Sequence, residues 1–265
     1  MRYGVPYQGS KNAIAKDIIS ILPSGRRFVD LFAGGCAMTH AAILSGKYER
    51  FVVNDIHGFG IRLFCDAIAG KCRDAWRHWV SREEFFRMKD SDPIVSLCWS
   101  FSNNGRDYLY ARSKEAAKRK EHDRRVRGDG PTMELETSER LQSLRQCEAL
   151  ERLQALERDY RDVEIATGDV VYADKPYANT RGYNTQPFDH PAFWEWARTR
   201  PFVVFISEYH APPDFTPIWH KAKCQLMHAN GGSGKAGEYV FVADRFAAEY
   251  QTDFFLGTND KGRAQ

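Results

Sequence analysis

Apolar positions interspersed with Lys11, Lys16 and Asp17 predict a helix near Lys11 to Leu22, and FVDLF from Phe28 then reads as a strand. An alanine-rich stretch predicts a second helix, and FVVND from Phe51 a second strand, which together open an α/β sheet domain. From Gly58 onward the pattern changes to aromatic and charged helical material, with WRHW, FSNNGRDYLYARSKEAAKRK and LQSLRQCEALERLQALERDY. In the last of these Leu141, Leu144, Leu150, Leu153 and Leu156 predict one apolar helical face, packed on its own domain rather than forming a dimerising coiled coil because the run is short. Strands return with DVVYAD and PFVVFISEY, followed by the glycine-rich turn and strand HANGGSGKAGEYVFVAD. The expected architecture is an α/β sheet domain in two parts, residues 1–57 and 159–265, interrupted by a helical insertion over 58–158.

Composition changes this picture little. At 265 residues the chain can bury a proper core without disulfides or metals. A formal charge of +3 against 28% charged residues requires any nucleic-acid affinity to come from local clusters. Cys36, Cys65, Cys72, Cys98, Cys147 and Cys224 form no CxxC pair and no Cys/His spacing suited to zinc, so a reduced, metal-free protein is expected. No segment reads as a signal peptide or membrane span, and a soluble cytoplasmic protein is the expectation.

The first chemical signal is FVDLFAGGCAM, where a strand ending at Asp30 is followed by Phe32, Ala33, Gly34, Gly35 and a helix. Such a turn lets backbone approach a ligand that a side chain would exclude, although an ordinary tight turn has the same composition. The second is VVNDI, which puts Asp55 and Ile56 at the end of the next strand, where a carboxylate can grip a ribose diol or simply cap a helix. Neither GxGxxG nor GxxxxGK[ST] is present, which argues against a pyrophosphate ligand and leaves adenosine without phosphates, of which S-adenosylmethionine is the common case.

YQGSK, FVDLFAGG, VVNDI, RDYRDV, VYADKPY and FISEYHAP, in this order and with a helical stretch before the fourth, resemble the Dam-like adenine-N6 DNA methyltransferases, especially bacteriophage-type members. The resemblance covers most of the chain and implies a Rossmann-like class I fold dependent on S-adenosylmethionine. It also implies that Tyr7 and Lys11 lie near the methionine end of the cofactor, Asp30 to Gly35 wrap it, and Asp55 holds its ribose. Asp159 and Tyr160 would border its adenine ring, and the insertion would recognise double-stranded DNA.

The stretch DKPY agrees with that chemistry. An adenine amino group is a poor nucleophile, so a carboxylate and a backbone carbonyl accepting its two hydrogens raise electron density on nitrogen. Asp174 and the carbonyl of Lys175 are the expected acceptors, the Tyr177 ring can stack on a flipped base, and Pro176 belongs to the same expected catalytic stretch. The resembled family reads DPPY here, so Lys175 is a departure. Two unit charges about 5 Å apart repel by roughly 1 kcal/mol in water and more in a dry site, which would disfavour a sulfonium unless the lysine points away or meets an acid. A carboxylated donor, carboxy-S-adenosylmethionine, would invert that sign and leave N6-carboxymethyladenine. Alternatively Lys175 turns to a DNA phosphate, or the protein binds DNA without catalysis. Arg106, Arg112, Lys118, Arg119, Lys120, Arg124 and Arg125, with Tyr108 and Tyr110 among them, are the expected DNA footprint, with a solvated charged helix as the alternative. Oligomeric state is not encoded in any motif, and a monomer is the simplest expectation.

Overall fold

The computed structural model describes residues 3–72, 74–129, 141, 144, 148–177, 188–222 and 237–250. Two compact units divide the chain, Met1–Glu164 and Ile165–Gln265.

In the first unit, helix α1 (Ala15–Ile21) leads to strand β1 (Gly25–Asp30), helix α2 (Ala37–Ser45), strand β2 (Tyr48–Asn54) and helix α3 (Phe59–Ala69). β1 and β2 pair in parallel, with Phe28 opposite Phe51 and Asp30 opposite Val53. Both strands are buried toward their C-terminal ends, as expected of parallel strands covered on two faces. Strand β3 (Leu153–Leu156) pairs in parallel with β2 on its other side, from Phe51 opposite Leu153 to Asn54 opposite Leu156. The leucine spacing predicts helix here, and the structure makes these four residues a strand. Their backbone groups are satisfied by the β2 edge, and four residues are too few for a 3.6-residue period to decide conformation. Leu141 and Leu144 are fully buried.

Between α3 and β3 lies helical material: α4 (Arg82–Met88), α5 (Pro93–Cys98) and α6 (Glu115–Arg124). Ser81 and Glu84 form a reciprocal capping box on α4, and the Asp92 carboxylate caps α5. An aromatic cluster holds this region. Trp79 stacks on Tyr110 at 5.6 Å and 6° and meets Trp99 edge-on at 5.0 Å. The Tyr108 hydroxyl donates to Val80 O at 2.7 Å. Arg82 lies over the Tyr108 ring at 4.8 Å and donates to Glu115 at 2.7 Å.

In the second unit, strand β4 (Val170–Ala173) is followed by helix α7 (His190–Thr199), strands β5 (Val204–Glu208), β6 (Phe215–Ala222) and β7 (Gly237–Ala243), and helix α8 (Asp244–Tyr250). β4 and β5 are parallel, whereas β7 runs antiparallel to both β5 and β6. β6 carries an irregularity between Pro217 and Trp219, consistent with a proline that cannot donate to the ladder. The mixed α/β fold, with seven strands and mostly parallel pairing, is the Rossmann-like arrangement that the sequence predicts. The glycine-rich turn over 228–236, Cys147 and Cys224 fall outside the described residues. Cys36, Cys65 and Cys72 are free thiols. Among the described residues no helix is long and apolar enough to cross a membrane.

Candidate active site

The turn after β1 is built from backbone. Gly34 has φ 48° and Cys36 φ 59°, so the chain passes twice through the left-handed region within three residues. Its neighbours pack so tightly that side chains are excluded: a Cβ on Gly35 would lie 2.5 Å from the Tyr7 Cβ, and one on Gly60 would lie 1.8 Å from Gly34 O. The N-terminal segment closes the turn from the other side, with Val5 N–H donating to Gly35 O at 2.8 Å and Gly4 N–H to His40 Nδ1 at 3.0 Å. Tyr7 is thus brought against Gly34 and Gly35. Lys11 is buried in the turn that leads into α1, where its carbonyl accepts from Ile14 and Ala15.

Asp55 fixes the same turn. One oxygen accepts the Gly34 N–H at 2.9 Å and the other the His57 N–H at 2.8 Å. Burial raises its pKa, and the two amide hydrogen bonds oppose that shift. Asp30 is buried and accepts from the Thr39 hydroxyl at 2.7 Å. Ala33 N–H donates to Asn54 O at 2.8 Å, tying the turn to the end of β2.

Asn54, which sequence reasoning passed over, joins three strand ends. Its amide group donates to Leu31 O at 3.0 Å and Arg158 O at 3.1 Å, while its carbonyl accepts the Arg158 N–H at 3.2 Å. The link brings the exit of β3 to the turn, and the Phe32 and Tyr160 rings meet at 5.3 Å. Ile56 stands 59% exposed, an apolar side chain held open at a strand end. Asp159 is held by Arg161, which donates to both carboxylate oxygens at 2.8 Å and holds the carboxyl below its ordinary pKa. Aromatic and aliphatic surface beside a carboxylate and a side-chain-free turn suits an adenosine ligand without phosphates.

The second unit carries the DKPY loop, directly after β4. Asp174, Pro176 and Tyr177 are partly buried and Lys175 is 1% exposed. The Lys175 ammonium donates to Glu208 Oε2, lies 3.4 Å from His190 Nδ1, and faces the Trp194 and Phe193 rings at 5.2 and 5.8 Å. Burial lowers the Lys175 pKa, and Glu208 pulls it back up. The Tyr177 hydroxyl donates to the fully buried Glu238, and its ring meets Tyr209 edge-on at 4.7 Å. Burial, then Asp174 and Glu238, push the Tyr177 phenol well above its usual pKa, so it stays neutral. Glu208 and Glu238 were also missed, although one acid inside each of VVFISE and GEYVFVA was a readable signal, since a carboxylate in an apolar strand needs a partner.

With these features in place, the chain can be set beside known proteins. Residues 7–196, well over half of its length, match the family described as D12 class N6 adenine-specific DNA methyltransferase. The protein belongs to this family. It is therefore an adenine-specific DNA methyltransferase by family, with DNA as the substrate and S-adenosylmethionine the donor that such a transferase implies. The chain matches no curated protein.

The remaining sequence-predicted residues of this D12 class chain lie in the helical region. No residue of α6 is buried. Lys118 and Arg125 both bridge to Glu121, at 2.8 and 2.5 Å. Arg112, Arg119, Lys120 and Arg124 are exposed, and Arg106 is partly so, in the loop before Tyr108.

Proposed function

We propose that the protein transfers the methyl group of S-adenosylmethionine to N6 of an adenine flipped out of duplex DNA. The first unit supplies the donor-binding residues: Tyr7, Lys11 and the Asp30 to Gly35 turn toward the methionine portion, Asp55 and Ile56 toward the ribose, Asp159 and Tyr160 with Phe32 toward the adenine ring. Because one Asp55 oxygen accepts the Gly34 amide of the turn and the other the nearby His57 amide, its contribution to the donor runs in part through the shape of that turn. The donor, when bound, supplies an electrophilic methyl on a sulfonium.

The second unit supplies the acceptor side. Asp174 and the backbone carbonyl of residue 175 accept the two amino hydrogens of the target adenine, which returns lone-pair density to N6 for attack. Asp174 then holds the proton that N6 releases. The neutral Tyr177 presents an aromatic face to the base, with Pro176 setting its position. The helical segment within 58–158 reads the DNA, and Arg106, Arg112, Lys118, Arg119, Lys120, Arg124 and Arg125 contact phosphates, in a protein that works as a monomer in the cytoplasm of a bacterial or phage-infected cell.

The observation that carries methyl rather than carboxymethyl transfer is the Lys175–Glu208 pair. Selection of carboxy-S-adenosylmethionine requires a cation available to the extra carboxylate, and the Lys175 charge is already answered inside the protein. The retained Asp174 and its strand-end loop favour catalysis over a purely DNA-binding role. Mass spectrometry of nucleosides from DNA of expressing cells tests all three: N6-methyladenine is expected, N6-carboxymethyladenine would overturn the donor assignment, and unmodified adenine would overturn catalysis.

A further inference from the structure

Lys11 and Lys175 are the two buried lysines among the described residues, and Lys175 sits inside the tetrapeptide that the proposed function sets against the target base. Its ammonium is enclosed by Glu208 at the end of β5, by His190 at the first turn of α7, and by the Phe193 and Trp194 rings of the same helix. Glu208 is 3% exposed, and its second oxygen accepts the Tyr209 N–H at 2.8 Å, so the carboxylate is itself immobilised by backbone. β5 is in turn braced by β7, with Glu208 opposite Tyr239.

A buried ion pair of this kind contributes little net stability, because desolvation of both charges offsets their attraction; its better-attested use is to specify one geometry. The need for such a device at residue 175 is evident from the chain itself. A proline there would fix φ and restrict the loop unaided, whereas a lysine leaves φ free. Anchoring the far end of the lysine side chain to a rigid strand end removes that freedom by another route.

We propose that Glu208 is a positioning residue, which through Lys175 holds the backbone carbonyl of residue 175 where it receives one hydrogen of the target amino group. The assignment rests on the functional reading above. Both Glu208 oxygens are engaged inside the protein, by the Lys175 ammonium and the Tyr209 amide, so its removal acts on the chemical step more than on binding. A carbonyl displaced by about 1 Å costs on the order of a hundredfold in rate.

Single-turnover methylation of a duplex, with donor and DNA affinities measured separately, tests this. Glu208→Gln should slow the chemical step by at least about 30-fold while both affinities stay within about threefold of the parent. Adding Lys175→Pro to Glu208→Gln removes the stranded ammonium and restricts the backbone directly, so the double variant should recover most of the lost rate. If Glu208→Gln fails to fold by circular dichroism, Glu208→Asp keeps the charge but withdraws the carboxylate by one methylene, and should lose about tenfold in the same step, again recovered by Lys175→Pro. The proposal is overturned if the single variant reacts at the parent rate, if affinities fall in step with rate, or if a double variant that melts like the parent recovers nothing. A parent protein that modifies no adenine would instead overturn the functional reading, and this assignment with it.

Discussion

The turn after β1 and the loop after β4 both occupy strand ends, yet they are held in opposite ways. The first is shaped by the absence of side chains: Gly34, Gly35 and Gly60 pack against backbone and the Tyr7 ring, and Asp55 acts through amide hydrogen bonds. The second is shaped by buried side chains in pairs, Lys175 with Glu208 and Tyr177 with Glu238. Steric definition tolerates no addition, whereas definition by charge tolerates exchange as long as both partners change together. In the proposed function the rigid solution serves a donor common to every turnover, and the adjustable one serves the acceptor base.

The largest expected effect breaks the first region. Gly60→Ala places a methyl 1.8 Å from Gly34 O, a backbone atom that cannot swing aside. The substitution should destabilise by about 3 kcal/mol, seen as a fall of roughly 5–12 °C in the melting midpoint, and should abolish donor binding in a calorimetric titration. A normal melt with normal donor affinity would mean that the turn is not sterically defined. The next effect isolates chemistry in the second region. Asp174→Asn should lower the methylation rate by about a hundred- to a thousandfold while melting within about 2 °C of the parent; an active variant would remove Asp174 from the mechanism.

Two smaller effects sharpen the contrast. Replacing Lys118, Arg119 and Lys120 together touches neither region and should leave the melt unchanged. It should flatten the salt dependence of DNA affinity by a log–log slope of roughly 2 rather than 3, because Lys118 is already engaged by Glu121. An unchanged slope would make α6 a solvated face. The smallest effect probes charge in the second region. Burial and the Lys175 ammonium hold His190 below its ordinary pKa of 6.5. The folded state therefore keeps the neutral ring while the unfolded chain takes up the proton, so this contribution is fully present above that value and is lost as pH falls toward the folded pKa. Denaturant titrations stepped downward from neutral pH should show a shallow loss of stability that His190→Asn removes.

Sequence alone reveals the elements whose pattern is self-sufficient. FVDLF, FVVND, DVVYAD and PFVVFISEY are apolar runs with acids at their ends, and each becomes a strand where expected. LQAL reads as part of a leucine-spaced helix because its strand character comes from pairing with β2, a partner distant in sequence. FTPIWHKA conceals a strand behind a proline, tolerated where the ladder shifts register. The same division holds at the site. Gly34, Gly35 and Asp55 were legible because a glycine pair after one strand and an acid at the end of the next form a pattern in the sequence itself, whereas Tyr7 was named only through the family resemblance. Asn54, Glu208 and Glu238 were not, because a lone polar residue at a strand end acquires meaning only from the neighbour it reaches.

The placement of β3 has a consequence for how the chain acquires its shape. Residues 55–152, 98 in all, separate β2 from the strand that pairs beside it. Closing so long a loop costs about 1.7 kcal/mol more than a crossover of about 15 residues on polymer entropy alone. The Trp79, Trp99 and Tyr110 cluster supplies the helical region with packing of its own, so that this region can condense first and shorten the distance left to search. Until it does, the outer edge of β2 presents unpaired backbone groups to any extended segment nearby. The rate-limiting event in refolding should therefore follow the stability of the aromatic cluster rather than that of the site, and weakening the cluster should raise aggregation during refolding before it changes turnover by the folded enzyme.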